Sequence, residues 1–372
     1  MNPAVYVDEI GPGPRPITGV PTTIAAFVGF AQDGPLTPTQ INSFAEYTES
    51  FGEGAPNQFL LHAVRGFFAN GGVRCYILRL PPELCGADLD REVLWQQVAI
   101  ALAPLEELSD VSLVCCPDEY SVPGIAAALV AHCERLRYRI AVLAAPPNAS
   151  DCVGPPQDVQ SSYVAYYMPW LLMENPRGGA ALAVHPGGHV AGAIVQNDLR
   201  RGVWKAPANL PIVGVTGLTH EINRQQQESL NQLGVNALRN FAGDGIRIWG
   251  SRTTSQDPEW KYINLRRYFI YLEKSIQDGT QWAVFENNGE TLWGNVKRAV
   301  DDFLFNEFKS GALFGITPQE AFFAKCDRST MTQNDIDNGR LICLVGVAPV
   351  RPTEFIIFRI CQLTADAQAC SS

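Results

Sequence analysis

Residues 321–360, AFFAKCDRSTMTQNDIDNGRLICLVGVAPVRPTEFIIFRI, decide the reading of this chain. They hold three apolar runs rich in β-branched and aromatic residues, AFFAKC, RLICLVGVA and EFIIFRI, and such runs predict strands. A polar turn region, 330–339, separates the first two, and the connector Pro349-Val350-Arg351-Pro352 leads to the third. The start of the chain mirrors its end. Ala4-Val5-Tyr6-Val7-Asp8-Glu9-Ile10 predicts one short strand, and the Gly11-Pro12-Gly13-Pro14-Arg15-Pro16 that follows continues neither a helix nor a central strand. Both termini are therefore expected to be short strands on Pro/Gly-rich stalks. A lone strand requires a partner sheet. If that sheet belongs to a neighbouring subunit, the product is a polymer.

The 372 residues are 46% hydrophobic and 18% charged, enough for about two domains with a real core. A net charge of −10 argues against nucleic acid and against an anionic membrane surface as partners. The charge is uneven: residues 1–205 carry 12 Lys/Arg against 20 Asp/Glu, and residues 206–372 carry 16 against 18. An acidic front part suits a solvent-facing domain, and a near-neutral back part suits one packed against neighbours. The ten cysteines form no C-x-x-C pair, and several, such as Cys75 and the vicinal Cys115 and Cys116, lie inside apolar runs. Buried free thiols and synthesis in a reducing cytoplasm are the expectation. No basic-then-apolar leader opens the sequence, and the apolar run 24–31 is far short of a membrane span of about 20 residues.

Along the chain, the pattern predicts an α/β layer. A buried strand over 22–31 is followed by a helix over 58–69, closed by Asn70-Gly71-Gly72, and a strand over 74–79. Helix 91–102, strand 111–116, helix 123–136 and strand 139–145 repeat the alternation that gives mostly parallel pairing. Residues 163–170 predict another strand and 187–196 the start of a helix. A second unit is expected from about Trp204: a helix over 221–233, a helix started by Asp257-Pro258, a strand over 281–285 and a helix over 290–310. Leu265, Tyr268, Leu272 and Ile276 form one apolar face, and Leu292, Val296, Val300 and Phe303 another. Thr317-Pro318-Gln319-Glu320 has the form of a capping box.

Candidate chemistry is sparse. His185 and His189 stand four apart, but Pro186, Gly187 and Gly188 lie between them, so a loop is expected rather than a helical metal pair. Residues 335–339, DIDNG, lack the glycine position and glutamate of a calcium loop, so a turn is expected. Gly243-Asp244-Gly245 lacks the rest of a dinucleotide fingerprint, and no phosphate loop or nucleophile elbow is present. Asp301-Asp302 and Glu106-Glu107 diverge on helices and read as solvated faces. No catalytic residue, metal or cofactor is expected.

The chain resembles contractile tail sheath proteins, the family shared by tailed phages, R-type pyocins and extracellular contractile injection systems. The resemblance is carried by GVPTTIAAFVGFAQDGP (19–35), FFANGGVRCYILR (67–79), GVWKAPAN (202–209), NALRNF (236–241), IWGSRT (248–253) and INLRRYFIYLEKSI (263–276). TQWAVFENN (280–288), KCDRSTMTQNDIDNGRL (325–341) and VGVAPVRPTEFIIFRI (345–360) complete it, with the region 81–200 matching least.

This resemblance implies a two-domain α/β subunit. Residues 1–20 form an N-terminal arm joining the inner domain, 21–203 an outer solvent-facing domain, 204–348 the inner domain and 349–372 a C-terminal linker with an exchanged strand. Val5, Tyr6 and Val7, and Phe355, Ile356, Ile357 and Phe358, are implied to pair with sheets of two different neighbours by β-augmentation. Gly11, Pro12, Gly13, Pro14, Pro349 and Pro352 are implied to be the flexible linkers. Arg266, Arg267, Glu273, Lys274, Lys297 and Arg298 are the candidates for facing an inner tube. The implied partners are further copies of the chain, the tube protein, and baseplate and terminal cap proteins, with assembly in the bacterial cytoplasm. Competing readings are a cytosolic α/β enzyme or ligand-binding protein, expected as a discrete monomer or dimer, and a tube or baseplate component. The α/β layer argues against a tube, which would be mainly β.

Overall fold

A computed structural model describes residues 15–53, 59–85, 91–149, 154–175 and 178–354. The strands expected at 5–7 and 355–358, and the stalk 11–14, lie outside the described residues. Strand β1 (Ile24–Gly29) is buried along its whole length, as a strand covered on both faces must be. Next come β2 (Thr39–Ile41) and α1 (Phe44–Phe51), the latter capped by the Ser43 side chain, which accepts from the Glu46 amide. Then α2 (Leu60–Ala69), β3 (Arg74–Arg79), α3 (Arg91–Leu102), β4 (Leu113–Cys115), α4 (Ile125–Leu136), β5 (Ile140–Ala144) and β6 (Val164–Met168) realise the predicted alternation. The hairpin β7 (Leu171–Met173) and β8 (Leu182–Val184) leads to α5 (Gly187–Arg201). After it run β9 (Leu210–Pro211), β10 (Gly217–Leu218), α6 (Arg224–Gln232), β11 (Val235–Phe241) and β12 (Gly245–Trp249). The last part holds α7 (Ile263–Gly279), α8 (Glu290–Lys309), α9 (Pro318–Ala321), β13 (Phe322–Lys325), α10 (Gln333–Asp337) and β14 (Leu344–Val347).

The main sheet has the order β2-β3-β1-β4-β5-β6-β11-β12-β9. Pairing is parallel from β3 through β11 and antiparallel at both margins. Three of its strands come from beyond residue 204, so the α/β layer and the second unit share one sheet. A second apolar core forms where Tyr268 and Leu272 of α7 meet Val300, Phe303 and Leu304 of α8, with Ile17 of the N-terminal lead and Ala324 of β13. The lead is tied there by its backbone as well: the Val20 amide donates to Ser275 Oγ at 3.0 Å.

Four local expectations need correction. Residues 281–285 form a single 3-10 turn, Gln281–Ala283, instead of a strand, and Val284 and Phe285 point into solvent. The Thr317 hydroxyl makes no capping bond: the Glu320 amide donates to the Thr317 carbonyl instead, and the Glu320 carboxylate accepts from the Ile316 amide rather than from Thr317. The capping box lies inside the expected turn, where Thr332 and Asp335 open α10. His189 is in a helix, not a loop: Pro186 precedes the first turn of α5, and its glycines permit a very close crossing with α2. A Cβ on Gly188 would lie 2.1 Å from the Ala63 carbonyl oxygen, and one on Gly192 2.3 Å from that of Phe67.

Candidate assembly surface at the terminal hairpin

The switch point of the parallel sheet, between β1 and β4, is where open α/β folds bind ligands, outside the carboxyl ends of the strands. Here the chain fills that crevice itself. Asp118, just after β4, accepts from the Phe30 amide at 2.9 Å and from the Phe59 amide, at the start of α2, at 2.8 Å. Its carboxylate thus sits at a helix N-terminus, a position that favours an anion. Burial pushes Asp118 up to about 6, although the amide bonds pull the other way. Beside it, Glu119 accepts from the Ala144 amide and pairs with His185 Nε2 at 3.0 Å. The Gly187 amide donates to His185 Nδ1, so the proton is on Nε2 and is donated to Glu119. His189 is buried against Gly66 in the α2–α5 crossing, and burial lowers it to about 4. Among the described residues, no group of three or more His, Cys, Asp or Glu is placed to hold a metal ion.

The β13–β14 hairpin differs: it presents unfinished structure. Its register pairs Phe322 with Val347, Phe323 with Gly346, Ala324 with Val345 and Lys325 with Leu344. Phe322, Ala324, Val345 and Val347 pack inward on α8, while Phe323 and Leu344 are exposed. A two-stranded sheet is marginal alone. The Ala348 amide donates to the Ala321 carbonyl, and the Phe314 amide donates to the Ala348 carbonyl. Residues 344, 346 and 348 therefore aim their backbone groups at β13, and by strand alternation 345 and 347 aim theirs at the opposite edge. Among the described residues that edge pairs with no other strand.

Along it runs a groove of about 640 Å³, lined by Leu341, Cys343 and Val345 on the hairpin side and by Ile276, Val296 and Val300 of the helices. Val284 and Phe285, the side chains that should have been buried in a strand, also line it. Phe285 is fully exposed with φ +69°, a left-handed conformation costly for a bulky residue. Sequence reading missed this wall, although an apolar Ala-Val-Phe run ahead of Asn287-Asn288-Gly289 was visible.

Pro349 and Pro352 lie on a segment that is held to the body. Pro349 bridges Leu313, and the Val350 amide donates to the Ala312 carbonyl at 3.2 Å. Two residues beyond Pro352, Glu354 is clamped: Arg252 Nε and Nη2 donate to its two oxygens, each at 2.8 Å, and Tyr262 donates at 3.0 Å. Burial opposes the Glu354 charge, but Arg252, Tyr262 and Lys261 outweigh it and hold the carboxyl below its ordinary range. This clamp fixes the last described residue to the body.

The tube-facing candidates separate into two groups. Arg266 is buried with its guanidinium 3.4 Å over the Trp260 ring, and Arg267 is buried in a bidentate pair with Asp198 at 2.9 and 2.6 Å. Thr22 completes that second site, its hydroxyl donating to Asp198 and its carbonyl accepting from Arg267. Glu273 and Arg298 are exposed. Lys274 and Lys297 are half-buried and pair along their own helices with Asp278 at 2.8 Å and Asp301 at 2.5 Å. Among the described residues, no helix is long and apolar enough to cross a membrane.

Residues 97–254 match the phage tail sheath protein central domain and 255–362 the phage tail sheath C-terminal domain, and the chain belongs to the phage tail sheath family. Within that family of structural proteins it is similar to the helical sheath of the anti-feeding prophage in its contracted state. The two are 31% identical, with a TM-score of 0.84 over 97% of this chain and 99% of that one. The contracted sheath complex of the extracellular contractile injection system PVC is 29% identical, with a TM-score of 0.79 over 97% and 98% of the two chains. The tail sheath protein of Vibrio phage KVP40 is 29% identical over 184 residues, which are 48% of this chain and 26% of that longer protein. The chain thus spans about a quarter of that relative's length.

Proposed function

We infer that this chain is a structural subunit of the contractile sheath around the inner tube of a phage tail-like injection system. It polymerises into a helical cylinder and acts mechanically rather than catalytically. The observation that carries this reading is the edge of β14, which pairs with no other described strand, above an apolar groove. Strand 5–7 of one neighbour and strand 355–358 of another complete the β13–β14 sheet, in which their main-chain groups find partners. The Glu354 clamp supports this by starting the outgoing strand from a fixed point. Against an enzyme stands Asp118, which takes the anion position at the switch point.

Residues 1–20 with 204–348 face the tube, and 21–203 face solvent. The packing of Ile17 on the α7–α8 core supports the first assignment, and β9, β11 and β12 form the seam between the two parts. Glu273, Lys274, Lys297 and Arg298 are the tube-facing charges, while Arg266 and Arg267 are committed inside the subunit. Exposed charges give contacts of about 0–1 kcal/mol each, weak enough to break on firing. Contraction releases subunits from the extended state held by baseplate, tube and cap into a more densely packed helix, a few kcal/mol per subunit summing along the cylinder. Assembly takes place in the bacterial cytoplasm.

Electron microscopy of the full chain, alone and co-expressed with its tube protein, tests this. Ribbed hollow cylinders are expected, and deletion of residues 1–15 or 355–372 should leave discrete particles. Discrete particles from the full chain under both conditions would overturn it.

A further inference from the structure

The paired ladder of the hairpin ends at Lys325 opposite Leu344, and Cys326 and Cys343 are the next residues of the two strands, opposed if the register is continued by one step. Both face the small apolar cluster made with Leu292, Trp293, Val296 and Met331. Directly opposed residues of an antiparallel pair have Cβ atoms about 4.5–5.5 Å apart, and a disulfide needs about 3.5–4.5 Å, so only a small closure is required. The two thiols also act on each other, Cys326 being pushed above the ordinary thiol range and Cys343 below it. Their exposure is unequal: Cys326 is buried, whereas Cys343 is half-buried and lines the open groove.

We propose that Cys326 and Cys343 form a reversible thiol–disulfide site that reacts with low-molecular-weight disulfides through the groove and staples the terminal hairpin when oxidised. The Cys343 thiolate attacks one sulfur of the small disulfide, forming a mixed disulfide and expelling one thiolate. Cys326 then loses its proton, its sulfur attacks Cys343 Sγ, and the second small thiolate leaves. Two protein thiols are oxidised, and the small disulfide is reduced to two thiols. The neighbouring Cys326 thiol holds Cys343 below the ordinary thiol range, which increases the thiolate fraction of the attacking residue. Excess small thiol runs both exchange steps backwards, so the site is open in a reducing compartment and closes in an oxidising one. This inference rests on the register and the groove, not on strand exchange.

The test uses the purified full chain in mixtures of reduced glutathione and glutathione disulfide, followed by thiol alkylation and tryptic mapping. The expected product links the peptide that begins at Cys326 to the peptide that begins at Leu341, and excess reduced glutathione reverses it. In Cys326→Ser the second step is blocked, so a glutathione adduct should accumulate on Cys343. In Cys343→Ser, Cys326 should stay unmodified, with at least about tenfold less adduct than Cys343 collects in the first variant. Thermal melts of both variants establish that they are folded. The proposal is overturned if no 326–343 link forms across the redox range. Linking of Cys343 to Cys361 or Cys370 instead, or equal adducts on Cys326 and Cys343 in the single variants, would overturn it equally.

Discussion

Asp198→Ala is the substitution whose consequence follows most directly from the geometry. Asp198 on α5 and Arg267 on α7 meet with side chains 1% and 3% exposed, joined by two hydrogen bonds, while Thr22 bonds to both. Removing the carboxylate leaves a guanidinium buried with one remaining carbonyl partner. Breaking a buried pair from one side costs about 3–5 kcal/mol. With an unfolding entropy of about 2.1 cal/mol/K per residue, a cooperative chain of this length loses about 4–6 °C in melting temperature. The pair as a whole is another matter, because replacing both partners by apolar residues of similar size is often neutral. Asp198→Leu with Arg267→Met should therefore recover most of what Asp198→Ala loses. Circular dichroism melts of the single and double variants, in a background unable to polymerise, give the comparison. A melting temperature within 1 °C of wild type for Asp198→Ala, or a double variant worse than either single, would refute the argument.

Asp118 gives a pH signature. Its carboxyl is raised from 3.8 to about 6 in the fold, so the stability it contributes is fully present below pH 3.8 and is lost as pH rises through about 6. That is about 2–2.5 kcal/mol between pH 4 and pH 8. Relative to Asp118→Asn the wild type should weaken over this range in urea titrations, and a flat difference would contradict the assignment. Gly188→Ala forces a methyl group into the Ala63 backbone and should cost about 1–3 kcal/mol by overpacking, read as a lower urea midpoint. Unchanged stability would mean that the α2–α5 crossing adjusts freely. Glu354→Ala should hardly change global stability but should speed exchange of the Val350 amide about fivefold, as loss of about 1 kcal/mol implies. No change in that exchange would show that the clamp does not hold the segment.

The α/β layer was legible because its signals are local. β1 and β5 are short apolar runs between breakers, and the residues read as the inner stripe of α8, Leu292, Val296, Val300 and Phe303, are all buried. What escaped depends on partners distant in sequence. Arg266 and Arg267 look like solvated helix charges until Trp260 and Asp198, the latter 69 residues away, are placed beside them. Residues 281–285 have strand composition, yet no described strand pairs with them, and their apolar side chains serve a groove. The glycines around His189 read as loop formers, but their small size lets two helices touch. Of the proposed assembly surface, the strand-like runs at both ends are a sequence expectation that lies outside the described residues. The groove, the Glu354 clamp and the direction of the free edge required coordinates.

The shared main sheet has a mechanical consequence. A continuous ladder from β2 to β9 makes the two parts of the subunit resist bending and shear as a single plate, with hydrogen bonds across the seam at β6 and β11 loaded together. When stiff and soft elements are coupled in series, displacement collects in the soft ones. A subunit built this way transmits torque with little internal distortion, and the travel of a cylinder of such plates must come from the joints between them.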